Sequence, residues 1–142
     1  MTTRQDVIKE TREWIGTRYK HLGRVKGVSV DCVGLIIGVG RALGLSGFDT
    51  ADYSQLPDPV VMKKHLDNEL IRIELSEAQP GDILWIKWIQ SPQHVAIISG
   101  RDDEGNQKMI HAYAEIRRCA EHAISELWRQ RVVAAYKYKG VE

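Results

Sequence analysis

The chain has 142 residues, 43% of them hydrophobic and 27% charged, with a formal net charge of +1. That length fits one domain, residues 1–142, whose core needs neither disulfides nor a metal, and the composition excludes disordered and collagen-like classes. Lys and Arg are scattered along the chain, which excludes a basic footprint for nucleic acid, and no apolar run reaches the length of a membrane span.

The first residues, Met1 to Asp6, are polar and contain no apolar signal core, so the expectation is cytoplasmic synthesis with release by lysis or in a particle. Thr3 to Ile15 reads as a helix capped by Thr3, with Val7, Ile8, Thr11, Trp14 and Ile15 on one face and Gly16 ending it. Tyr19 to Val30 reads as a loop rich in Gly and basic residues. Asp31 then suits the N-cap of a second helix, where Cys32, Leu35, Ile36, Val39 and Leu43 share one face up to Gly44. Gly34, Gly38 and Gly40 interrupt that helix, at about 1 kcal/mol each relative to Ala, which points to close packing there.

Ser46 to Pro59 reads as a loop and Pro59 to Leu70 as a third helix with Val60, Val61, Leu66 and Leu70 inward. The turn Gln79-Pro80-Gly81 introduces a strand, Asp82 to Trp88. His94 to Ser99 is a second strand, Gly100 to Asn106 a hairpin loop and Lys108 to Tyr113 a third strand. A short helical turn ends at Trp128, and Val132 to Tyr138 is the last strand. Helices first and an antiparallel sheet afterwards give an α+β fold with helices on one sheet face.

The chemistry concentrates at Cys32. A helix N-terminus lowers thiol pKa values and supplies backbone N–H groups for an oxyanion, so Cys32 at that position has the setting of a nucleophilic thiolate. Gly34 would let substrate approach the same backbone. His94, at the start of a strand after a loop, can reach a cleft as general base and acid. His111, across the hairpin, can touch His94 and fix its tautomer, as the third member of a triad does. His21, His65 and His122 receive no role, and Cys119 reads as a packing residue. Spacing leaves open whether Cys32 and Cys119 pair, although two cysteines make no disulfide framework. Trp14, Trp85, Trp88 and Trp128 read as core or cleft wall. A zinc site from Cys32, His94 and His111 ranks last, because no close ligand pair supports it; no metal or cofactor is expected.

These residues resemble the NlpC family of cell-wall cysteine peptidases, within the papain-like superfamily. The resemblance runs through Trp14 to Tyr19, Val30 to Ile36, Ala78 to Leu84, His94 to Ile97 and Ile110 to Ala112. It implies Cys32, His94 and His111 as the catalytic set, with Tyr19 on the oxyanion side; Asp31 and Gly34 complete the expected oxyanion and substrate side. Arg18 stands where many relatives carry Pro. The ending Leu127 to Tyr136 is similar to the short branch found in phage tails and gene-transfer particles. The implied partner is the stem peptide of peptidoglycan, with phage-tail proteins as further partners. The alternative is a non-catalytic tail-assembly or wall-peptide-binding protein of the same fold.

Overall fold

The computed structural model describes all residues, 1–142. Helix α1 spans Arg4–Arg12 and starts in a capping box. The Thr3 hydroxyl accepts from the Asp6 N–H at 3.1 Å, and the Asp6 carboxylate accepts from the Thr3 N–H at 2.9 Å. The helix stops short of the predicted Ile15. The carbonyls of Glu10, Thr11 and Arg12 instead accept from the third residue on, tightening the chain into turns that end at Gly16 with φ of +90°.

The predicted loop 19–30 contains two short strands, β1 (Arg24–Val25) and β2 (Ser29–Val30), paired with each other. Helix α2, Cys32–Ala42, follows its Asp31 cap as the sequence predicts, and α3 spans Pro59–Glu69 behind an Asp58 cap. The sheet strands are β3 (Leu70–Ile73), β4 (Ile83–Trp88), β5 (Ser91–Arg101), β6 (Gln107–Tyr113), β7 (Arg118–Ala123) and β8 (Val132–Tyr138); α4 is Glu126–Arg131. The six form one antiparallel sheet in the order β3-β8-β4-β5-β6-β7. The α+β architecture is as predicted, while β3 and β7 were not foreseen.

Strand alternation divides the core. One face of the sheet carries Ile83, Trp85, Val95, Ile97, Ile110, Ala112 and Tyr136, packed with Val7 and Trp14, with Leu35 and Val39 of α2, and with Met62 and Leu66 of α3. The buried Tyr138 hydroxyl ties α2 to β8 by donating to the Ile36 carbonyl at 2.7 Å. The other face carries Leu84, Ile86, Ala96, Ile98, Met109 and Ala135, and Trp128 of α4 packs there. Helices therefore meet both faces, a correction to the single-face arrangement expected from sequence.

Candidate active site

The start of α2 is held by Asp31, which is 2% exposed. Its Oδ1 accepts from the Gly34 N–H at 2.6 Å and from Arg24 Nη1 at 3.1 Å. Its Oδ2 accepts from the Leu22 N–H and from the Tyr53 hydroxyl, both at 2.7 Å. Arg24 in turn donates to the Thr50 carbonyl at 2.6 Å and to the Tyr53 oxygen at 2.7 Å, fastening the 46–58 loop beside the helix. Both Asp31 oxygens are thus occupied from within the protein. Asp31 anchors the helix start.

Gly34 sits against the 19–30 segment. A Cβ there would meet the Gly23 carbonyl, with Arg24 Nη1 at 2.6 Å and Asp31 Oδ1 at 2.9 Å. The missing side chain admits the neighbouring loop. Gly38 does likewise for Trp14, whose ring lies where a Cβ would point.

Cys32 is half-buried and carries a free thiol. The backbone N–H groups of Val95, Val33 and Cys32 itself approach the sulfur and favour its anion. Burial acts the other way, as does the Asp31 carboxylate, and together they push the thiol up to about 12. Burial and Asp31 thus oppose the thiolate that a helix N-terminus by itself favours. Tyr19 lies on the same side: burial, with Cys32 and Asp31 nearby, pushes its phenol up to about 12. Its hydroxyl remains a hydrogen-bond donor across the neutral range.

The sheet opens next to this sulfur. Pairing of β5 with β6 runs from Ile97↔Ile110 out to Arg101↔Gln107, whereas β5 stays with β4 as far as Trp88↔Ser91 and β6 stays with β7 as far as Tyr113↔Arg118. The predicted loop before His94 is part of β5, with a bulge between the His94 and Pro92 pairings. Val95, whose N–H approaches Cys32, directly follows His94.

His94 and His111 are 5% and 0% exposed, and His94 Nε2 lies 2.7 Å from His111 Nδ1. They are diagonal neighbours, since the Ile97↔Ile110 register continues to set His111 opposite Ala96 rather than His94. Burial and then the nearness of His122 depress His94 to about 3; burial, His94 and His122 hold His111 well below its ordinary value. Both rings are neutral at neutral pH. Trp128 packs on both, with ring centroids at 6.2 Å from His94 and 5.3 Å from His111, and Trp88 lies 5.2 Å from His94. His122, given no role from sequence, sits on the unforeseen β7 with Nε2 2.8 Å from His111 Nε2. Alternation along β7 and the pairing of Met109 with His122 would have revealed it, had β7 been recognised. Cys32, His94 and His111 do not form a metal-ligating cluster.

The NlpC/P60 family profile matches residues 16–137 of this chain. The chain belongs to the NlpC/P60 family. Solved structures with the NlpC/P60 fold are similar throughout. The NlpC/p60 domain of the peptidoglycan hydrolase SagA is 23% identical with a TM-score of 0.65, over 96% of this chain and 99% of that one. An NlpC/P60 protein from Bacillus cereus is 20% identical with a TM-score of 0.69, over 96% of this chain and 40% of that one. A lipoprotein-like NLP/P60 protein from Staphylococcus aureus is 23% identical with a TM-score of 0.64, over 95% of this chain and 41% of that one. The chain thus spans less than half the length of the last two. No curated protein sequence matches it.

A cleft of about 290 Å³ lies between α2, the 46–58 loop and α3. Val33 and Val95, the neighbours of Cys32 and His94, line it together with Ile36, Phe48, Tyr53 and Met62. Asp52, Asp58, Glu69 and Lys139 supply charge around these apolar walls. No helix is long and apolar enough to cross a membrane.

Proposed function

We propose that the protein is a peptidoglycan hydrolase, a cysteine endopeptidase that cleaves stem-peptide amide bonds with Cys32 as nucleophile, His94 as base and acid, and His111 as the orienting residue. The observation that carries this reading is the bond between His94 Nε2 and His111 Nδ1, at 2.7 Å, in the segment whose next N–H approaches the Cys32 sulfur. With Nε2 so engaged, His94 Nδ1 is the nitrogen that would take the thiol proton. Family membership and the hydrolase activity named for SagA support the substrate class.

The steps follow from the resting charges. The thiol is protonated and the imidazole neutral, so proton transfer from Sγ to His94 Nδ1 accompanies attack of sulfur on the carbonyl carbon. The carbonyl oxygen becomes an oxyanion, held by the Cys32 N–H and the Tyr19 hydroxyl. The C–N bond then breaks, and the leaving amine takes the proton from His94. Water, deprotonated by His94, attacks the thioester, and the proton returns to sulfur as the acid departs. The adjoining cleft would take the peptide on one side of the scissile bond. The similarity of Leu127–Tyr136 to the phage-tail branch supports delivery to the wall in a phage-like particle, in contact with tail proteins.

Mass spectrometry of defined muropeptides tests the reading. The parent protein should cut within the stem peptide, and Cys32→Ala should lose that activity by about 10³-fold or more with an unchanged melting temperature. Equal cleavage by both would refute the mechanism. Muropeptide binding without cleavage by the parent would favour the non-catalytic alternative.

A further inference from the structure

We propose that His122 is a positioning residue: it ends a chain of three imidazoles and sets the direction of every proton in it, so that the lone pair of His94 is left on Nδ1. The proposal rests on the assignment of Cys32, His94 and His111 made above.

The chain has three links. His94 Nε2 lies 2.7 Å from His111 Nδ1, His111 Nε2 lies 2.8 Å from His122 Nε2, and His122 Nδ1 lies 2.8 Å from the Ala123 carbonyl oxygen. A row of neutral imidazoles can be hydrogen-bonded in either of two directions, because each ring donates from one nitrogen and accepts at the other. The N···N distances alone do not choose between them. The last link does, because a carbonyl oxygen only accepts. His122 Nδ1 therefore carries a hydrogen, and a ring with its one hydrogen there presents a lone pair at Nε2. His111 must then donate from Nε2 and accept at Nδ1. His94 must donate from Nε2, and its Nδ1 is bare.

The opposite direction would be unproductive. With His111 protonated at Nδ1, His94 would accept at Nε2 and carry its hydrogen on Nδ1, where the Cys32 proton has to go. The surroundings hold the productive order. His94 and His111 are 5% and 0% exposed, so water is not at hand to replace either partner. Trp128 packs along the row, with ring centroids 6.2, 5.3 and 5.9 Å from His94, His111 and His122. The register Met109↔His122 and His111↔Ala120 makes His111 and His122 diagonal neighbours on one face of β6 and β7. His122 itself is half-exposed, so the row ends at the surface.

The test compares acceptors with donors at position 122. In His122→Gln the amide oxygen can still accept from His111 Nε2–H; in His122→Lys the ammonium can only donate. Imidazole ¹⁵N spectra of histidine-labelled parent should show His94 and His111 hydrogen-bearing at Nε2 and bare at Nδ1. The Gln variant should keep that pattern, and the Lys variant should reverse it. With muropeptide as substrate, His122→Lys should lower kcat by about 10- to 100-fold with KM within about two-fold. That is less than the ~10⁴-fold loss when the partner directly bonded to a catalytic histidine imposes the wrong tautomer. His122→Gln should stay within about three-fold of the parent.

A parent His94 with its hydrogen on Nδ1 overturns the proposal, as does an identical His94 tautomer or identical kcat in folded Gln and Lys variants. The spectra need no turnover. A parent that cleaves no muropeptide would therefore sink the assignment of function while the parent's tautomers still decide the imidazole chain.

Discussion

A methyl group at position 34 has nowhere to go. Its carbon would sit against the Gly23 carbonyl and within 3 Å of Arg24 Nη1 (2.6 Å) and Asp31 Oδ1 (2.9 Å). None of these can yield without moving the others, because Arg24 and Asp31 bond each other at 3.1 Å. Gly34→Ala should therefore cost about 1–3 kcal/mol of stability by denaturant melting. Muropeptide hydrolysis at a temperature where the variant is fully folded should fall further than that loss explains, since the strained turn carries Cys32. At the thiol, the raised pKa gives a second expectation. Between pH 6 and 8 only a minute fraction of Cys32 is thiolate, so iodoacetamide should alkylate it more slowly than a small free thiol, accelerating as pH rises. Alkylation faster than the free thiol at pH 6 would show that the helix N-terminus prevails over burial.

Elements with their own punctuation were legible. Asp31 caps α2 where the sequence placed it, because a side-chain oxygen before an apolar helical stripe is a local signal, and α3 starts at Pro59 as read. Strands made by their neighbours were not. Strand β7, Arg-Cys-Ala-Glu-His-Ala, has no β-branched or large aromatic residue and owes its form to pairing with β6. Missing it hid His122. The bulge in β5 was hidden too, so the segment before His94 looked like a loop. Cys32 and His94 drew attention by position, but the balance of burial against backbone N–H groups at the sulfur depends on Val95, distant in sequence. The partners that hold Asp31 and Gly34, namely Arg24, Gly23 and Tyr53, are tertiary contacts that the local sequence does not signal.

At the scale of the whole molecule, the sheet stores two neutral imidazoles. In the unfolded chain a histidine takes up a proton near pH 6.5; in the fold His94 does so only near pH 3, and His111 far below its ordinary value. As pH falls through 6.5 the unfolded state gains protons that the native state refuses, so stability drops. The slope should approach about 1.4 kcal/mol per pH unit for each of the two rings between pH 6 and 4. Urea melts at pH 7, 6, 5 and 4 measure it, and His94→Asn should flatten the profile by about one ring's share. A parent profile flat from pH 7 to 5 would mean that the rings are charged in the fold.

The strand β7 lies at the margin of the sheet, yet its outer rim is not bare. Gly16 N–H donates to the Cys119 carbonyl, Cys119 N–H to the Thr17 carbonyl, and Tyr19 N–H to the Arg117 carbonyl, at 2.8, 2.8 and 2.9 Å. The short segment that seals this rim against stray β-pairing is the one that brings Tyr19 toward the sulfur. Peeling it away would expose a sticky strand and withdraw the phenol in one motion. Self-association and loss of the proposed activity should therefore have a common origin, and a change that fastens residues 16–19 more firmly should delay both.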